Sequence, residues 1–116
     1  MWIMVSGPYT SGTGPGGRAG PAERAANLRA MNRAAAAVFD RGHVPVIGVN
    51  LALPVIEAAG AERFEAMMMP LSLALAERCD ACLRVGGASQ GADAEMDLFR
   101  AAGKPVYRAL ADIPPG

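Results

Sequence analysis

The sequence predicts an α/β domain built on a parallel sheet, and three observations predict it. Short apolar runs alternate with longer segments of helical periodicity, glycine or proline marks the junctions, and the 116 residues suit one domain. With 52% of its residues apolar, the chain can bury a real core, but aromatics are scarce, so Ala, Leu, Val and Met must do the packing.

Residues 2–6 are a brief apolar run halted by Gly7-Pro8, which reads as a strand ending in a turn. Residues 11–20 hold five glycines and are expected as a flexible loop. Pro21 suits the first turn of a helix, where its missing N–H costs nothing, and this helix should run to about Arg41. Leu28, Met31, Ala35 and Val38 share one face of it, Arg29, Arg33 and Asp40 lie off that face, and Gly42 terminates it. His43 to Gly48 is a second strand, placed at the sheet edge by Pro45, which cannot donate to a ladder on both sides. Residues 51–78 read as helical pieces broken by Pro54, Gly60 and Pro70, the last from about Leu71 to Arg78. Residues 81–85 form a third strand stopped by Gly86-Gly87. A helix from about Gln90 to Ala102 stops at Gly103, Pro105-Val106-Tyr107 begins a fourth strand, and the tail Pro114-Pro115-Gly116 is expected to be loose. The alternation implies right-handed crossovers and a three-layer, Rossmann-like parallel sheet of four to five strands with helices on both faces, a single domain over 1–116. Ligands of such sheets sit beyond the carboxyl ends of the strands, where segments 7–20, 48–52 and 86–91 should meet.

Basic and acidic residues balance at 11 each, with no basic stripe, which argues against a nucleic-acid partner. A neutral surface repels its own copies weakly, so self-association is expected. No apolar run approaches the roughly 20 residues that span a bilayer, and the first residues lack the basic leader of a signal peptide, so a cytoplasmic location and no membrane partner are expected. Cys79 and Cys82 make no disulfide framework. They are formally C-x-x-C, but residues three apart in a strand point to opposite faces and no second pair exists, so no metal or redox role is expected. Gly12-x-Gly14-x-x-Gly17 formally matches a dinucleotide fingerprint, yet it starts several residues past the strand and contains Pro15, so no cofactor is expected. His43 and Asp80 are read as structural, Asp80 because it precedes the third strand and lies at the wrong end of the sheet.

The segment from Gly86 to Glu95 carries the most chemistry. It follows a strand, opens a helix, and offers Ser89 as N-cap. Ala92, Met96, Phe99 and Gly103 are its expected buried stripe, with Glu95 on the flank. Helical side chains lean toward the N-terminus, so the Glu95 carboxylate should lean over Gly91 and Ala92, which leave room for a ligand. The helix dipole should help keep it ionised, by roughly 0.3–1 kcal/mol. On spacing alone, Glu95 and Asp93 read equally as decoration of an exposed first turn. Gly7-Pro8 turns the chain so that Tyr9 projects toward the same crevice, where a phenol would serve a carboxylate or a sugar hydroxyl.

An ordered set of residues then carries a resemblance. Ser6-Gly7-Pro8-Tyr9-Thr10 follows the first strand, Asn27 lies early in the next helix, and Gly42-His43 meets the second strand. Cys79-Asp80-Ala81 enters the third strand, followed by Ser89-x-Gly91-x-x-x-Glu95 and Gly103-Lys104-Pro105-Val106-Tyr107. Over nearly its whole length the chain resembles the nucleoside 2-deoxyribosyltransferase superfamily, especially its short bacterial members, and it is also similar to 2′-deoxynucleoside 5′-monophosphate N-glycosidases. The resemblance implies that Glu95 is a nucleophile attacking the anomeric carbon and expelling the base, with another base or water collecting the sugar from a covalent ester. It implies that Tyr9 positions this nucleophile and that Gly7, Asn27, Gly91 and Ser89 contact substrate. Serine at 89, where members acting on free nucleosides carry an acid, favours a 5′-phosphate. Arg18, in a Gly16-Gly17-Arg18 loop like that of the hydrolases, would pair with it. Where the family places an acid that assists base departure, this chain has Ser72, so Asp93 or Glu65 would substitute, the substrate has a better leaving group, or the protein binds a nucleotide without turnover as a signalling module. A plain scaffold is the third reading. The resemblance also implies a homodimer or larger homo-oligomer.

Overall fold

A computed structural model describes all residues, 1–116. Its order is β1 (Trp2–Ser6), α1 (Pro21–Asp40), β2 (Val44–Val46), α2 (Gly48–Ala59), α3 (Phe64–Glu77), β3 (Ala81–Arg84), α4 (Gln90–Ala101) and β4 (Val106–Tyr107), with single 3-10 turns at Pro15–Gly17, Ala61–Arg63 and Leu110–Asp112. The four strands form one all-parallel sheet in the order β2-β1-β3-β4. Pro45 does lie on an edge strand, opposite Ile3 of β1.

Strand side chains alternate between faces, and the two faces are covered by different helices. Ile3 and Val5 of β1, with Ala81 and Leu83 of β3, pack against Met31 and Val38 of α1 and against Ile113. Met4 and Cys82 point the other way, onto Ala76 of α3 and Phe99 of α4, joined by Cys79. The fold is therefore three-layered, as expected. A smaller cluster of Ala52, Ile56 and Met68 holds α2 against α3.

Three local expectations are corrected. Pro54 and Pro70 do not break their helices but lie inside α2 and α3. Both are exposed, as are Asn50 and Ala66 four residues earlier, so each proline lies on the solvent side of its helix. The tail is not loose. Ile113 is fully buried, the Arg41 guanidinium donates to its carbonyl, His43 Nε2 bonds to Pro114 O at 2.6 Å, and Gly116 N–H donates to Arg41 O at 2.8 Å. The glycine-rich loop is closed on itself. Gly12 N–H donates to Gly17 O, Gly14 N–H donates to Arg18 O, and Glu23 accepts from Thr13 N–H at 2.9 Å. Those glycine amides are spent within the loop, which is not the arrangement of a dinucleotide fingerprint.

His43 and Asp80 hold structure, as read from sequence. Asp80 accepts from Trp2 N–H at 2.8 Å at the amino end of the sheet, away from the crevice. No helix is long and apolar enough to cross a membrane.

Candidate active site

The chain leaves β1 toward β2 on one side and returns to β3 on the other, so the connections after β1 and β3 diverge. Parallel sheets open a crevice at such a switch point, outside the carboxyl ends of the strands. Here the crevice is a cleft of about 990 Å³ between the β1–α1 loop, the first turns of α2 and α4, and one face of α3.

Glu95 lies at its base. Residues 92, 95, 96 and 99 are the buried positions of α4, an i, i+3, i+4, i+7 stripe, so Glu95 sits on the stripe rather than on its flank. It is 8% exposed. The residue that meets it is Ser6, the last of β1. Two residues beyond Met4, Ser6 shares the sheet face that α4 covers, and its Oγ–H donates to Glu95 Oε1 at 2.8 Å in buried surroundings. No protein group hydrogen-bonds to Oε2, which keeps contact with the cleft. Gly48, the first residue of α2, makes room beside it: a Cβ there would stand 2.8 Å from the Ser72 Cβ and 3.2 Å from Glu95 Oε2. Only glycine lets the start of α2 approach this closely.

Burial pushes the Glu95 carboxyl up from 4.5 to about 7, against the Ser6 hydrogen bond and the Arg84 charge, which both pull it down. The expectation of a carboxylate held ionised by the helix dipole is thereby corrected: loss of water outweighs a dipole contribution of roughly 0.3–1 kcal/mol, and the acid form persists into the neutral range. Arg84 is itself buried. Its guanidinium donates to the carbonyls of Val85 and Gly87 and to Asp93 Oδ1 at 3.3 Å, tying the β3–α4 loop to the start of α4. Its Nε is the one buried side-chain polar atom without a partner.

Most residues singled out from sequence come together here. Gly7, Tyr9, Arg18 and Asn27 line the cleft from the β1–α1 side, and Ser89 and Gly91 line it from α4. Ser89 caps α4 as expected, accepting from Ala92 N–H at 3.1 Å, which leaves its own O–H free to donate. Asn27 uses its side-chain amide to donate to Tyr9 O at 3.0 Å and Ser11 O at 3.1 Å, so it fixes the loop that carries Tyr9. Arg18 is exposed and has no acidic partner. Tyr9 packs against the α1-side core and makes no hydrogen bond to Glu95, so the contact expected of the phenol is made by Ser6.

Asp93 does not line the cleft. It is two residues from Glu95, about 200° around the helix, and its half-exposed carboxylate pairs with Arg84. Glu65, in the first turn of α3, does line the cleft, and Ser72 is buried at its floor. Glu23, the remaining carboxylate of the cleft, is held by Thr13. The two thiols pack in one apolar cluster rather than on opposite faces, because Cys79 precedes β3. Burial raises Cys79 to about 11 and Cys82 to about 12, so both stay protonated and unreactive.

Neither a family model nor a curated protein matches this chain.

Proposed function

We propose that this protein cleaves the N-glycosidic bond of a 2′-deoxynucleoside 5′-monophosphate or deoxynucleoside, by hydrolysis or base exchange, as a member of the nucleoside 2-deoxyribosyltransferase-like superfamily. One observation carries the reading. A buried carboxyl at the switch point is anchored through one oxygen and presents the other, unpartnered, to a cleft large enough for a nucleotide.

In this reading Glu95 Oε2 attacks the anomeric carbon as the bond to the base breaks, with the electron pair leaving on the base nitrogen. Glu65 supplies the proton for base departure and later takes one from the attacking water. It is the only carboxylate of the cleft other than Glu95 that no side chain or backbone group holds. Arg18, which is exposed, and Ser89, at the start of α4, both line the cleft, and in this reading they hold a 5′-phosphate. In this reading Tyr9, which lines the cleft, contacts the sugar. The proposal extends to a cytoplasmic homo-oligomer: Leu51 and Val55 of α2, Val44 of the edge strand, and Phe39 are exposed apolar side chains on a chain of zero net charge.

Release of free base, followed by liquid chromatography over a panel of deoxynucleosides and their monophosphates, tests the activity. Ser72 favours a second reading, a nucleotide-binding or signalling module, because a buried hydroxyl replaces the acid the family uses. Binding of a monophosphate without base release at high protein concentration would select it.

A further inference from the structure

We infer that Ser6 is the positioning residue of this site: its hydroxyl fixes which oxygen of Glu95 faces the ligand and sets the pH at which that oxygen becomes a nucleophile. The inference rests on the glycosidase reading for its catalytic consequence and on the geometry alone for the rest.

Ser6 is a polar residue where β1 otherwise buries Ile3, Met4 and Val5, and it is 1% exposed. A buried hydroxyl without a partner is destabilising, so its place in a strand core needs a partner, and that partner is Glu95 Oε1. The backbone leaves it little freedom. Ser6 stands opposite Arg84 in the β1–β3 ladder, and its carbonyl accepts from Val85 N–H at 2.8 Å. The hydroxyl therefore comes from a strand paired on both sides and reaches a carboxyl on a separate helix. One proton is available from Ser6 and it goes to Oε1. With Oε1 held, Oε2 lies beside Gly48 on the cleft side.

The same bond favours the ionised form, because a hydroxyl donates more strongly to a carboxylate than to a neutral acid. The other groups that face Glu95 are few. Arg84 on β3 also favours the anion, the Cys82 and Cys79 thiols on the covered face stay neutral, α2 and α3 bring Gly48 and Ser72 beside the carboxyl, and the charged groups that share its cleft are Glu65 of α3 with Arg18 and Glu23 on the β1–α1 side. With burial working against ionisation, the Ser6 hydrogen bond is the largest opposing contribution, ahead of Arg84.

The experiment follows the Glu95 side-chain carboxyl by carbon NMR through a pH titration, in the wild-type chain and in Ser6→Ala, Ser6→Thr and Ser6→Cys. Removing the hydroxyl in Ser6→Ala should move the midpoint up by about one pH unit, and the weak thiol donor of Ser6→Cys should do much the same. Ser6→Thr, which keeps the hydroxyl, should restore the wild-type midpoint. In parallel, the acid limb of base release in Ser6→Ala should shift by the same amount, with kcat lowered more than KM is raised. An unmoved NMR midpoint in both Ser6→Ala and Ser6→Cys overturns the inference, whatever the activity does. A shifted midpoint in a chain that releases no base from any substrate leaves Ser6 as the group that sets Glu95 and removes the glycosidase reading instead.

Discussion

Replacing Glu95 by glutamine should stabilise the protein, and only above a defined pH. The Glu95 carboxyl is raised from 4.5 to about 7 by burial, and each pH unit of that rise is worth about 1.4 kcal/mol. Below pH 4.5 the group is protonated in both folded and unfolded chains, so it costs nothing. Between 4.5 and about 7 the unfolded chain loses the proton while the folded chain keeps it, so the folded state binds more protons and stability falls as pH rises. Above about 7 both states are ionised and the cost levels off at roughly 3 kcal/mol. A glutamine side chain cannot ionise, yet it still accepts the Ser6 hydrogen bond, so Glu95→Gln escapes that cost. Urea titrations of both proteins from pH 4 to 9 should give equal stabilities near pH 4 and a gap opening to roughly 3 kcal/mol at pH 8–9. For a domain of this size the gap corresponds to roughly 10 °C in Tm. A gap that is flat with pH, or a Glu95→Gln protein that is less stable than wild type at pH 8, would refute the reasoning, since either would mean that the folded protein holds the Glu95 anion at no cost.

Glu65→Gln should lower base release by about 10²–10⁴-fold, while Asp93→Asn, which changes a carboxylate pointing away from the cleft, should lower it by less than about tenfold; the reverse order in steady-state rates would return the acid role to Asp93. Gly48→Ala should destabilise the protein by about 1–3 kcal/mol in chemical denaturation, because the added methyl group meets the Ser72 Cβ at 2.8 Å. His43→Ala should cost about 1–3 kcal/mol and speed amide exchange at Gly116, since the ring no longer holds Pro114 O. Both thiols, pushed to about 11 and about 12, should resist iodoacetamide at pH 8 until the chain is unfolded, as read by mass spectrometry of the intact protein.

Much of the fold was legible because its signals are local. The Pro45 edge strand, the Ser89 cap, the Gly42 stop after α1 and the alternation of strands with helices each depend on neighbours in sequence. Ser6 was harder to see. A serine ending an apolar strand looks like the start of a turn, and only the alternation from Met4 puts it on the face that α4 covers. The burial of Glu95 and the absence of Asp93 from the cleft were both readable from helical spacing: 92, 95, 96 and 99 form one stripe, and 93 is nearly opposite 95. On the flank of the stripe Glu95 would feel chiefly the helix dipole, whereas on the stripe itself desolvation dominates. The helices through Pro54 and Pro70 could not be read locally, since what permits them is that both prolines lie on the solvent side of their helices. The tail was equally opaque, because its anchors are Arg41 and His43, some seventy residues away.

The measurement that bears most directly on the proposed chemistry is covalent trapping with a 2-fluoro-arabinosyl nucleoside or monophosphate, whose fluorine slows collapse of the glycosyl ester. Peptide mapping by mass spectrometry should find one sugar adduct per chain, on Glu95, forming faster as pH rises toward and past 7. An adduct on any other residue, or none after prolonged incubation of protein that binds the analogue, would contradict it.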